Sequence, residues 1–183
     1  MAGSGKLFSD QENLLIGGFT QGFVLSFGLV SLCLILLFKS LGSGLLMMVP
    51  NLSPIVMCFG FMGIFNIWLD FGTAMISSLT LGIAVDDTIH MFHSMKKNIE
   101  LHGIDKGIRV AYRESGTSIT MTTFILCTQF MLLVFSEFLP LKNFGFITSI
   151  GLFSALVFDL VFLPALMKIN HEGFFNFKNK QTI

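Results

Sequence analysis

Five stretches of this chain stay apolar for about the 20 residues that a helix needs to cross a ~30 Å hydrocarbon core. They run approximately over Ile16–Phe38, Leu45–Phe65, Phe71–Met95, Thr117–Phe135 and Phe144–Met167. The first is too long for a signal-peptide core, and no A-x-A cleavage pattern follows it. Composition agrees: 53% of residues are hydrophobic and 12% charged, against about 25% charged in a soluble domain. That shortage of charge excludes a soluble enzyme and a disordered region. Eleven basic residues balance eleven acidic ones, so no nucleic acid or other polyanion is expected as a partner. Phe supplies 22 residues while Tyr and Trp supply one each, an aromatic usage suited to a lipid-facing surface.

The expected fold is an all-α membrane protein with five transmembrane helices and a short amphipathic cytoplasmic helix. Residues 1–15 form an N-terminal extracytoplasmic segment, 16–167 the bundle and 168–183 a cytoplasmic tail. Basic residues set the orientation. Nine of the eleven, Lys39, Lys96, Lys97, Lys106, Arg109, Arg113, Lys168, Lys178 and Lys180, fall in one set of connections. Lys6 and Lys142 fall in the other. The N-terminus is therefore expected outside and the C-terminus in the cytoplasm. In the longest connection, Lys96 to Gly116, Ile104, Ile108 and Ala111 recur at helical spacing while Lys106, Arg109 and Arg113 lie on other faces. An amphipathic surface helix and an ordinary solvated connection both fit this pattern.

Cys33, Cys58 and Cys127 lie in apolar runs, are odd in number and form no CxxC pair. Neither a disulfide framework nor a zinc site is expected, and no cofactor. No Ser–Lys or Ser–His pairing stands out at helical spacing, and His–Glu–x–x–His is absent. The chain is not expected to be an enzyme.

Three acids lie inside the apolar runs: Asp86, Asp87 and Asp159. Each costs at least ~2.5–3.5 kcal/mol to insert, so each calls for a reason. Ser78, Gly82, Asp86, His90 and His93 share one helix face, a small and polar stripe. Gly151, Ala155 and Asp159 form a matching stripe in the fifth span, which turns Asp159 toward protein. Gly116, Thr120, Thr123 and Cys127 share a face in the fourth. At 1.5 Å per residue Asp86, Thr123 and Asp159 lie roughly 9–14 Å above the cytoplasmic helix ends. One buried polar site between the third, fourth and fifth spans is therefore expected.

Adjacent acids resist double ionisation, so Asp86 and Asp87 form a pair able to bind and release a proton. Thr120 and Thr123 would carry or hydrogen-bond it, with His90, His93 and Asp159 as secondary polar groups. The alternatives are acids that only hydrogen-bond neighbouring helices, and histidines that are solvated helix ends. A metal held by His90, His93 and Asp86 fits the spacing but has too few ligands, so no metal is expected.

The run Gly82-Ile-Ala-Val-Asp-Asp-Thr-Ile-His90 resembles the signature span of the resistance–nodulation–division superfamily, in particular its MMPL and hydrophobe/amphiphile exporter branch. The resemblance extends from about Ile16 to Met167, through Phe38-Lys-Ser, Pro50-Asn-Leu-Ser-Pro54, Gly60-Phe-Met-Gly63, Asp70, Phe135-Ser136, Phe144-Gly145, Asp159 and Pro164-Ala-Leu166. Sterol-sensing domains resemble the same five-helix unit. Gln129 departs from the pattern, which often has Gly before the position of Phe130.

The resemblance implies export of lipidic or amphiphilic compounds across a bacterial inner membrane, driven by the proton-motive force. It assigns the coupling protons to the acids matching Asp86 and Asp87. It also implies a fragment or half of a larger transporter, whose partner is the missing half or a second copy of itself. A lipid-binding or regulatory module of the sterol-sensing kind, without transport, is the alternative.

Overall fold

The computed structural model describes residues 3–38 and 41–169, and all its regular structure is helical. Helix α1 spans Gly3–Phe38, α2 Leu41–Ile64, α3 Phe71–His102, α4 Ile104–Ala111, α5 Thr117–Leu132 and α6 Leu139–Ile169. A π-helical turn, Tyr112–Gly116, joins α4 to α5, and a 3₁₀ turn, Leu133–Phe135, follows α5. Four helical stretches are long and apolar enough to cross a membrane: Leu14–Leu37, Gly44–Ile64, Ile104–Phe135 and Leu139–Ile169. Helix α3 has 32 residues but is not among them, because its acids and histidines dilute its apolar content.

Several boundaries differ from the sequence expectation. The segment 1–15 is helical from Gly3 onward and continuous with the first apolar run. Helix α3 continues past Met95 to His102, and α4 and the π turn take up the rest of the expected connection after Gly103. The expected tail beyond Ile169, with Lys178 and Lys180, and the linker residue Lys39 lie outside the described residues.

The core lies between α2, α3 and α6. Ile55, Leu81 and Val85 lie on the α1 side, against Phe23, Phe27 and Val30. Cys58, Met62, Ile76 and Ile147 close one end, and Met47, Met91, Met95, Leu163 and Met167 the other. Helix α1 buries little of its apolar stretch, whereas more than half of that of α6 is buried. Outward Leu and Phe side chains are expected where lipid replaces water as the solvent.

Prolines inside helices leave carbonyls without their usual i+4 N–H donor. Pro54 in α2 frees the Pro50 carbonyl, which accepts from the Ser53 hydroxyl at 2.6 Å. Pro164 in α6 frees the Leu160 carbonyl, and this one accepts from the Tyr112 hydroxyl. In lipid a freed carbonyl must find such a donor within the protein.

Helix α3 starts with a capping box: Asp70 accepts from the Thr73 N–H at 2.8 Å, and Thr73 Oγ1 accepts from the Asp70 N–H at 2.8 Å. It ends at Gly103, whose φ of 80° suits a residue without Cβ. The chain reverses there, and α4 returns along α3. Gly107 packs so closely that a Cβ would meet the Ile99 and Asn98 backbone. In α4, Gly107 and Ala111 are buried, Ile104 and Ile108 pack against the core, and Asp105, Lys106 and Arg109 are exposed. Lys168 at the end of α6 pairs with Asp105 at 3.3 Å.

Candidate functional site

Successive residues of an α-helix are ~100° apart, so Asp86, Asp87 and Thr88 fan out from α3 in three directions. Asp86 is exposed. It lines a groove of about 500 Å³ between α3 and α5 with Gly82, Ile83, Asp87, His90, Ser118, Ile119, Thr122 and Leu126. Asp87 is half-buried and lies near Thr123 of α5, whose buried hydroxyl makes no hydrogen bond among the described residues. Thr88 is buried and points into the core. Its hydroxyl lies 2.6 Å from Asp159 Oδ1 of α6 and 3.1 Å from Asn51 Oδ1 of α2.

Two polar sites therefore share one turn of α3. One is an open groove on the surface of the bundle, floored by the acid pair and walled by hydroxyls. The other is a closed node in the core. Asp87 couples them electrostatically, since its charge is felt at Asp159. A carboxylate pair reached from outside and backed by hydroxyls can take up and release protons.

The family signature lies on this turn, and the chain as a whole matches the MMPL family over residues 1–181. The chain belongs to the MMPL family. It is 33% identical over 156 residues to the "Putative membrane protein MJ1562" of Methanocaldococcus jannaschii, covering 84% of this chain and 40% of that protein. The chain thus spans about two-fifths of that relative's length. No solved structure matches it.

In this MMPL chain the polar stripe of α3 is real but faces outward. Gly82, Asp86, His90 and His93 are all exposed and Ser78 is half-buried. The expected convergence of Asp86, Thr123 and Asp159 is therefore corrected: the 100° step from Asp86 to Asp87 carries Asp86 away from α6. Asp87 meets Thr123 instead, and Thr88 meets Asp159. The Thr120 hydroxyl donates to the Gly116 carbonyl of its own helix at 2.7 Å and does not line the groove. His93 does not line the groove, whereas His90 does. Among the described residues no three His, Cys, Asp or Glu side chains converge to hold a metal. Gln129 is exposed on α5.

Asp159, Gly151 and Ala155 of α6 are buried, as their small-residue stripe predicts. Thr88 and Asn51 escaped the sequence reading. The signals for them were an amide between the two prolines of α2, and a hydroxyl directly after the acid pair.

Proposed function

We propose that this chain is the transmembrane part of a larger MMPL-type exporter that moves lipidic or amphiphilic compounds at the expense of the proton-motive force. The observation that carries this reading is the Asp86–Asp87 pair on the groove between α3 and α5. Intramembrane acids are rare and mark ion or proton paths. Asp86 and Asp87 both line this open groove, where Ser118 and Thr122 of the facing wall supply hydroxyls.

In this reading α3 is the fifth crossing helix, low in apolarity because it carries the relay. The N-terminus is outside and the C-terminus in the cytoplasm of a bacterial inner membrane. Helix α4 lies at the cytoplasmic surface with Lys106 and Arg109 outward. An open carboxyl on a lipid-exposed face is costly, so the groove is covered by the other half of the transporter or a second copy. A charge crossing 100 mV releases ~2.3 kcal/mol, enough to bias an equilibrium between two packed states.

The test is export of a fluorescent amphiphile from vesicles that hold the full-length protein under an imposed pH gradient. Asp86→Asn and Asp87→Asn keep size and hydrogen bonding but remove the titratable proton. Both are expected to abolish export while insertion and folding persist. Export by both variants at the wild-type rate, with unchanged pH dependence, overturns the relay. Lipid binding without any proton flux in the wild type favours the sterol-sensing alternative.

A further inference from the structure

The buried node on the other side of α3 does not belong to the groove, and it has its own chemistry. Asn51, Thr88 and Asp159 come from three different helices and are 0%, 1% and 2% exposed. Their hydrogens can be counted. Asn51 Nδ2 donates to the Met47 carbonyl at 2.8 Å, which fixes the amide: turned over, it would set two oxygens against each other. Asn51 Oδ1 therefore faces Thr88 at 3.1 Å as an acceptor. On its other side the same hydroxyl meets Asp159 Oδ1 at 2.6 Å. Thr88 has one hydrogen to give.

If Asp159 is a carboxylate, Thr88 faces two acceptors with one hydrogen, and one of the two contacts is oxygen against oxygen. The second carboxylate oxygen, Asp159 Oδ2, is buried and has no hydrogen-bond partner among the described residues. Half of a negative charge would then stand in the core without a donor and feel the repulsion of the Asp87 carboxylate. If Asp159 is a carboxylic acid, every contact has its hydrogen. Asp159 donates to Thr88, Thr88 donates to Asn51, and Asn51 donates to Met47. Oδ2 is then only a carbonyl oxygen, far cheaper to leave unpaired than a charge.

We propose that Asp159 binds a proton in this conformation and that the directed chain Asp159–Thr88–Asn51 is a proton-dependent latch joining α6, α3 and α2. The chain rests on donor counting alone, and it stands whether or not Asp86 and Asp87 carry transported protons. When the proton leaves, Thr88 turns to the new carboxylate, Asn51 Oδ1 loses its donor and α2 is no longer tied to α3. The charged group of α3 whose charge is felt at Asp159 is Asp87. Helices α2 and α5 hold no charged residue. Their cysteines are engaged elsewhere, Cys58 with the Ile147 carbonyl and Cys127 with the Ser149 carbonyl. Tyr112, from the π turn, is engaged with the Leu160 carbonyl.

Infrared difference spectroscopy of the purified chain at neutral pH tests this. The wild type is expected to show a protonated-carboxyl carbonyl band that shifts in deuterated water, is retained in Asp87→Asn and is lost completely in Asp159→Asn. Thr88→Val removes the acceptor of that proton and is expected to move the band without abolishing it. If Asp159→Asn does not fold, the Thr88→Val shift decides alone. Thermal unfolding gives a second readout. A proton held by the folded chain and not by the unfolded one stabilises at low pH, and that contribution is lost as pH rises. The wild-type Tm should therefore fall with rising pH more steeply than that of Asp159→Asn. If no protonated-carboxyl band depends on Asp159 or Thr88, Asp159 is ionised and the latch is overturned.

Discussion

Tyr112, the one tyrosine of the chain, answers a need created far away in the sequence. Pro164 has no N–H to give to Leu160, and the Tyr112 hydroxyl supplies the missing hydrogen. Tyr112→Phe leaves that carbonyl without a donor in an apolar setting. It should cost about 1–3 kcal/mol, the penalty of an unsatisfied buried polar group. Pro164→Ala restores a backbone N–H to α6. In the Tyr112→Phe background it should recover most of the loss, whereas in the wild type it gains little. Chemical unfolding of the four forms in mild detergent checks the cycle, and strictly additive losses would disprove the pairing. Nothing near Tyr112 in the sequence announces its partner. Helical period shows which face a residue lies on, and so Asp159 was legible as inward-facing. It does not show which residue of another helix stands opposite. Thr88, Asn51 and Tyr112 are therefore defined only by the packed structure, as is the outward aspect of Asp86.

At the scale of elements, hydropathy located the apolar runs and misjudged where helices end. Helix α3 was expected to stop near Met95, because Lys96, Lys97 and Glu100 are charged. Backbone hydrogen bonding is indifferent to that charge, and the helix runs on to the positive φ of Gly103. Its start was bounded correctly by Phe71, and the local reason is the Asp70–Thr73 box. Asp70→Ala removes the acceptor for the Thr73 N–H and should lower stability by about 1 kcal/mol. Asp70→Asn retains an acceptor and should lose less. Thermal unfolding followed by circular dichroism distinguishes them, and equal Tm values for the wild type and the alanine variant would remove the cap from the account.

For the molecule as a whole, the bundle buries its core between α2, α3 and α6 and leaves the Asp86 groove on its surface. If the other transporter half or a second copy covers that groove, its two sides differ in native membranes. Thr122 lines the groove, whereas Phe124 is 73% exposed on another face of α5. A fluorophore on Thr122→Cys in the full-length protein should be shielded from a lipid-phase quencher, and one on Phe124→Cys should be quenched. Equal quenching at both would mean that lipid meets the acid pair directly. The family was legible in the nine-residue run from Gly82 to His90, but assembly was not, since a partner leaves its mark only on the face it covers.

The stretch from Ile104 to Phe135 is helical throughout its 32 residues, the π turn included. At 1.5 Å per residue it measures about 48 Å, well beyond the ~30 Å of the hydrocarbon. It is gripped at three heights. Gly107 bears on Ile99, Tyr112 hooks Leu160, and Cys127 and Ser149 exchange hydrogen bonds near the far end. These contacts fix the register of this rod against α3 and α6, and with it the placing of Ser118 and Thr122 on the wall of the cleft in which Asp86 stands.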